Sequence, residues 1–243
     1  MTTLPASDRL LLDRLGADAW PSLERLDVDG WRLRAARTAT GAPVTKRANS
    51  ALPLTPAGLT QTQVDAAVAF ARARALPPLV QVSDPALSRA LGARGWQAQS
   101  PTLVMTGPLG DGDAALVAAA PSAAWLAAVH PEPGEQVVAR QCLAQLRAPA
   151  GYVAIGIDGH VVATGRGVVQ EGWLGVFAMA VRPEHRRRGL ARRVLGALGS
   201  WGAAHGATAG YLQVEAGSTA ARGLYEGAGL TRAYDYEYRR LPC

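Results

Sequence analysis

The chain has 243 residues, 49% of them apolar and 18% charged, enough apolar material for one large core or two small ones. Its net charge of +6 raises nucleic acid as a partner class, but Arg186, Arg187, Arg188, Arg192 and Arg193 supply nearly all of that excess and leave the rest close to neutral. No stretch is long and apolar enough for a membrane span, the start carries Asp8, Asp13 and Asp18 in place of a secretory signal, and Cys142 with Cys243 makes no disulfide framework; a cytoplasmic protein with neither membrane nor nucleic acid as partner is expected.

In chain order, Asp29-Gly30 ahead of Trp31-Arg32-Leu33 reads as a two-residue hairpin turn. Arg32, Arg34, Arg37, Lys46 and Arg47 read as the solvated face of a sheet, with contact to an acidic substrate as the other reading. Thr60 to Ala75 is helical in pattern, with Val64, Val68 and Ala71 on one face. The strand Leu79 to Val82 and the segment Leu87 to Trp96 follow. Gly107 to Asp113 is rich in turn formers and marks a domain boundary, giving domains 1–109 and 110–243.

Beyond it, Pro121 to Val129 and Gly134 to Leu146 read as two short helices. Asp158-Gly159 repeats the hairpin signal. The apolar run Val176 to Val181 is a buried strand stopped by Pro183, and from Leu190 the apolar positions Val194, Leu195 and Leu198 recur at helical spacing. Residues 186–191 therefore sit at a helix N-terminus, where unpaired amides, the helix dipole and three arginines favour an anion, and Gly189 lets it approach the backbone. Taken alone, a solvated basic turn capping an ordinary helix remains the other reading. A strand, Gly210 to Glu215, and the segment Ser218 to Leu230 come next. In the last strand Tyr234, Tyr236 and Tyr238 alternate with Asp235 and Glu237, the pattern of a half-buried strand or of a pocket wall for a cationic amine.

Arg186-x-x-Gly189-x-Ala191 resembles the (Gln/Arg)-x-x-Gly-x-(Gly/Ala) signature of the GNAT superfamily of N-acetyltransferases. Val214, Ala220, Leu224, Tyr225 and Gly229 fall on matching positions of that superfamily's second motif, with Ser218 where Asn is usual and Leu230 where Phe is usual. The resemblance implies a turn, Arg186, Arg187, Arg188, Gly189, Leu190 and Ala191, that holds the diphosphate of acetyl-CoA. It also implies a pantetheine arm along the backbone of Met179, Ala180 and Val181, in the gap where that strand splays from Leu212-Gln213-Val214, with Ser218 near it. A backbone N–H of the first strand would face the carbonyl oxygen, and Tyr225 would return a proton to the leaving thiolate. Glu171 and Glu215, at strand ends, are the candidates for a base.

The implied activity is transfer of an acetyl group to a primary amine of a small molecule or peptide by a monomer or homodimer. The alternative is a non-catalytic CoA-binding sensor or scaffold. Glu184 reads as ordering its turn; His130 and His185 stand isolated, without metal-ligand spacing, so no metal is expected.

The two halves resemble each other. Leu79-Val80-Gln81-Val82 parallels Tyr211-Leu212-Gln213-Val214, and Leu87 to Trp96 parallels Ala221 to Leu230, with Gly95 over Gly229. Each half offers hairpin, strand, helix, strand, helix, strand. The expected fold class is thus α/β, two tandem GNAT-like domains, each a mixed, mainly antiparallel sheet flanked by helices. The first is worn: Leu54-Thr55-Pro56-Ala57-Gly58-Leu59 stands in place of the arginine turn and Leu91 in place of Tyr225, which leaves one coenzyme site.

Overall fold

The structure, a computed structural model, describes residues 5–55 and 58–242; Pro56 and Ala57 of the worn turn, and Cys243, lie outside the described residues. The chain begins with α1 (Ala6–Asp18), β1 (Glu24–Val28), β2 (Trp31–Ala35), β3 (Leu52–Pro53), α2 (Gln61–Arg72), β4 (Leu79–Val82), α3 (Pro85–Gly92) and β5 (Gln97–Gly107). Then come β6 (Val117–Ala118), α4 (Ala123–Val129) and α5 (Pro133–Ala144). The second half runs β7 (Ala150–Ile157), β8 (His160–Gln170), β9 (Trp173–Val181), α6 (Leu190–Ala204), β10 (Ala209–Glu215), α7 (Thr219–Glu226) and β11 (Thr231–Arg240).

These elements form two compact units that do not follow a single cut at 109/110. One takes the residues up to Leu103, Val137–Leu146 and those from Ala233 on; the other takes Val104–Gln136 and Arg147–Arg232. The reason lies in strand pairing. β11, last in the chain, pairs antiparallel with β4 of the first half, from Glu237↔Val82 to Arg240↔Leu79. Conversely β5, last strand of the first half, is the neighbour of β10.

In the first unit β1 and β2 form a hairpin across Asp29 and Gly30, whose φ values of 46° and 77° are those of a type I′ turn. Trp31, Leu33 and Ala35 of β2 are buried with Val64 and Phe70 of α2, Val80 and Val82 of β4 and Leu91 of α3. A capping box starts α2: Thr60 Oγ1 accepts from Gln63 N–H and Gln63 accepts from Thr60 N–H.

Here the reading of a solvated basic face fails for Arg34, which is 3% exposed. Its guanidinium donates to Ser50 O, Ser50 Oγ and Gln81 Oε1, and burial lowers its pKa to about 10. Arg32 donates to Asp27 and Asp18. The tyrosines of β11 do share one face and all three are buried, as the strand reading has it. Tyr234 donates to Asp13 Oδ1 at 2.9 Å, and Ser83 donates to Asp13 Oδ2 at 2.5 Å.

In the second unit the order is β10-β9-β8-β7-β6, antiparallel except for the parallel pair β10–β9. α6 presses onto β8, where glycine leaves room for it. A Cβ on Gly165 would overlap Val194 and reach Leu198, and one on Gly167 would press on Trp201. Val194, Leu195 and Leu198 are buried, as the helical spacing predicts.

The internal repeat extends to single hydrogen bonds. α3 closes through Ala93 N–H to Arg89 O, Gly95 N–H to Gly92 O and Trp96 N–H to Leu91 O; α7 closes through Gly227 to Gly223, Gly229 to Glu226 and Leu230 to Tyr225. Gly95 and Gly229 have φ of 84° and 86°. α2 and α6 also end alike, Leu76 N–H bonding Ala71 O and Ala207 N–H bonding Gly202 O.

Candidate active site

The arginine turn stands where β9 ends. A short 3₁₀ segment, Pro183–His185, follows the strand and leads into α6 at Gly189. Gly189, the N-cap, has φ 73° and nothing within 4 Å of where a Cβ would stand. An L side chain is strained at that φ, so glycine serves the backbone here and leaves the face open. The first i→i−4 bond of the helix is Arg193 N–H to Gly189 O, so the amides of Leu190, Ala191 and Arg192 precede it and point out of the N-terminus. Arg186, Arg187 and Arg188 are all exposed, and Arg187 has φ 64°. Arg186 Nε bonds Val181 O at 3.3 Å, tying the turn to the strand end. Free amides at a helix start beside three exposed arginines are a combination that favours an anion such as a diphosphate.

Next to it the sheet opens. β9 and β10 pair from Ala209↔Trp173 to Leu212↔Val176 and no further, although both strands continue. On its other edge β9 holds one extra residue: Thr164 pairs Ala180 and Arg166 pairs Phe177. The bulge centres on Ala178, with φ 50°, and Thr164 Oγ1 donates to Ala178 O at 2.9 Å. Phe177, just before it, lies under the Arg166 guanidinium, 5.0 Å from ring centroid to carbon, and Arg166 is fully buried. Beyond the bulge Met179, Ala180 and Val181 have no ladder partner on β10. Neither Thr164 nor Arg166 was expected. An alanine forced to positive φ has no signature in a sequence, and the bulge is what gives both residues their place.

Tyr225 lies on α7, 7% exposed, and burial pushes its hydroxyl up to about 12. The turn that closes its helix, with Ala228 and Leu230, shares an apolar cavity with Leu174 and Val176 of β9. Ser218 is the N-cap of α7 but makes no side-chain capping bond. Glu215 ends β10, exposed, and Ser218 N–H bonds its carbonyl.

Glu171 is not brought to this group. It is the first residue of the turn between β8 and β9, with φ 49° and Gly172 at 77°, at the far end of β9 from Met179. At about 3.3 Å per residue that is roughly 20 Å of strand, far beyond the reach of proton transfer either directly or through one water. His130, expected to stand alone, is buried with Nδ1 3.6 Å from Glu135, burial lowering its pKa while Glu135 opposes. Among the described residues no three His, Cys, Asp or Glu side chains could hold a metal ion, and no helix is long and apolar enough to cross a membrane.

Against known proteins, residues 7–239 match the family model described as "Probable histone acetyltransferase Rv0428c C-terminal". The chain belongs to that family. A relative, the probable histone acetyltransferase Rv0428c of Mycobacterium tuberculosis, is 31% identical over 241 residues, 93% of this chain and 72% of the relative. A GCN5-related N-acetyltransferase from Kribbella flavida superposes over 99% of this chain and 97% of its own, with TM-score 0.62 at 19% identity. A functionally unknown conserved protein from Staphylococcus epidermidis does so over 89% and 92%, with TM-score 0.59 at 10% identity. Likeness at such identities speaks for the fold, and it spans both halves. This Rv0428c-family member thus has the GNAT fold across its two units, with the arginine turn and the opened strand pair in the second.

Proposed function

We propose that this Rv0428c-family protein is an acetyl-CoA-dependent N-acetyltransferase with one coenzyme site, in the second unit. The observation that carries the reading is the adjacency of two features: the cradle at residues 186–191 and the gap that begins after Leu212 and Val176. The amides of Leu190 and Ala191 and the three guanidinium groups hold the diphosphate, and the backbone of Met179, Ala180 and Val181 pairs with the pantetheine arm, with Ser218 across the gap. Acetyl-CoA supplies the activated acyl group. A backbone N–H of the bulged strand faces the charge that develops on the carbonyl oxygen, in a direction set before the substrate arrives. Tyr225 keeps its proton at neutral pH, as a pKa pushed to about 12 requires, and returns it to the departing sulfur.

A base for the incoming ammonium must sit at the open end of the gap, which favours Glu215 over Glu171. The first half keeps the fold without this chemistry: Leu91, fully buried, stands in the place of Tyr225. The acceptor is a primary amine of a small molecule or peptide. Since the mycobacterial relative is named a probable histone acetyltransferase, a lysine-bearing basic peptide belongs among the acceptors tried.

The test is release of free thiol from acetyl-CoA across a panel of small amines, peptide N-termini and lysine peptides. Thiol release that requires an amine supports the reading. Coenzyme binding without thiol release for any amine would turn it into a sensor or scaffold, and failure to bind acetyl-CoA or CoA at about 1 mM would sink it altogether.

A further inference from the structure

Of the basic residues after the Asp29-Gly30 turn, Arg34 is consumed by the core and Arg32 by two aspartates, whereas Lys46 is exposed beside a cavity. We propose that the first unit carries a second binding site, for an organic anion with an apolar body, its acid group held between Lys46 and Arg240. The cavity has about 450 Å³, within the roughly 300–1,000 Å³ of small-molecule pockets. Among its lining residues are two cations and no carboxylate, so the charge of the lining has one sign. Val44, Leu76, Pro77 and Leu79 supply an apolar floor. A bare inorganic ion would leave that floor in water, while an aryl or alkyl phosphate or carboxylate covers it and places its charge between the two cations.

The walls are built before any ligand arrives. Asn49 accepts from Ala36 N–H at 2.8 Å and donates to Ala36 O and Thr45 O at 2.9 and 2.8 Å, pinning the segment that carries Lys46. Thr45 Oγ1 accepts from Ala48 N–H. The opposite wall is fixed by Arg240 in register with Leu79 and by Leu241 N–H bonding Pro78 O. Lys46 Nζ donates to Ser100 Oγ, which holds the ammonium at the rim. The site is not the worn copy of the coenzyme slot. It stands at the start of β4, whereas the slot in the second unit opens at the far ends of its parallel strands.

The test is calorimetric titration of phenyl phosphate, and separately of inorganic phosphate, into the full chain and into a Lys46→Ala/Arg240→Ala variant. Any affinity of the 186–191 turn for phosphate is common to both proteins, so their difference reads the new site. The expected result is that phenyl phosphate binds the unaltered chain at least about tenfold more tightly than the double variant, and more tightly than inorganic phosphate. Lys46→Arg should retain binding, and Lys46→Glu, a single change at an exposed position, should abolish it even if the double variant misfolds. Equal binding by Lys46→Glu and the unaltered chain, or inorganic phosphate matching phenyl phosphate, would overturn the proposal.

Discussion

At the scale of single residues the proposed site turns on two hydroxyl groups, those of Tyr225 and Thr164. Because burial keeps Tyr225 neutral up to about pH 12, its loss as an acid should not appear as an alkaline fall in kcat between about pH 8 and 10. Tyr225→Phe should keep the affinity for acetyl-CoA and lower turnover by about 10 to 10³-fold, as steady-state kinetics and calorimetry together would show. Thr164 acts one step back, through the carbonyl of Ala178. Thr164→Val leaves that carbonyl without its donor, at about 1–3 kcal/mol, and lets the bulge relax. The expected signature is a fall in kcat of about tenfold with KM for the coenzyme little changed, restored by Thr164→Ser. A purely structural role would lower the melting temperature of Thr164→Val and leave its kcat unchanged.

Asp13 is a residue of another kind. Burial raises its pKa to about 6 from 3.8, so the folded state prefers it protonated. Its favourable contribution is complete below the ordinary carboxylate pKa and is lost as pH rises through about 6. Arg9, Arg34, Ser83 and Tyr234 oppose the shift without cancelling it. Melting temperature should therefore decline between about pH 4 and 6, and Asp13→Asn should flatten that decline; an equal slope in the variant would assign the effect to other groups.

At the scale of elements, helix α6 does two things at once. Its N-terminus faces outward with unpaired amides, and its body is held against β8 by large side chains set over glycines. The cradle is only as well placed as that packing. Gly165→Ala drives a methyl into Val194 and should destabilise the protein by about 1–3 kcal/mol, measurable by denaturant titration, and should loosen coenzyme binding through displacement of α6. Most such elements were legible beforehand. The turn pairs Asp29-Gly30 and Asp158-Gly159, the helix from Leu190 and the strand that stops ahead of Pro183 stand where their residues place them, because each rests on local chemistry: positive φ, an apolar period, a missing N–H. The bulge at Ala178 was not legible, since a cross-strand hydroxyl and a register shift impose it from outside the segment.

At the scale of the whole chain, most of β11 belongs to the unit built mainly by the first half, and the end of β5 from Val104 belongs to the unit built mainly by the second. A fragment cut at 109/110 therefore lacks a strand that its unit uses. Residues 110–243 expressed alone should fail to give a cooperative thermal transition by circular dichroism, and addition of residues 1–109 should restore it; an independently folding fragment would show the exchange to be dispensable. By its sequence alone this chain declared its superfamily, the likeness of its two halves and the arginine-rich turn at a helix start, because those are written in short spacings and in the placing of arginine and glycine. Where Glu171 and Glu215 stand, the bulge at Ala178, the burial of Arg34 and the partners of β11 were decided by tertiary structure, because each depends on strand partners far apart in the chain.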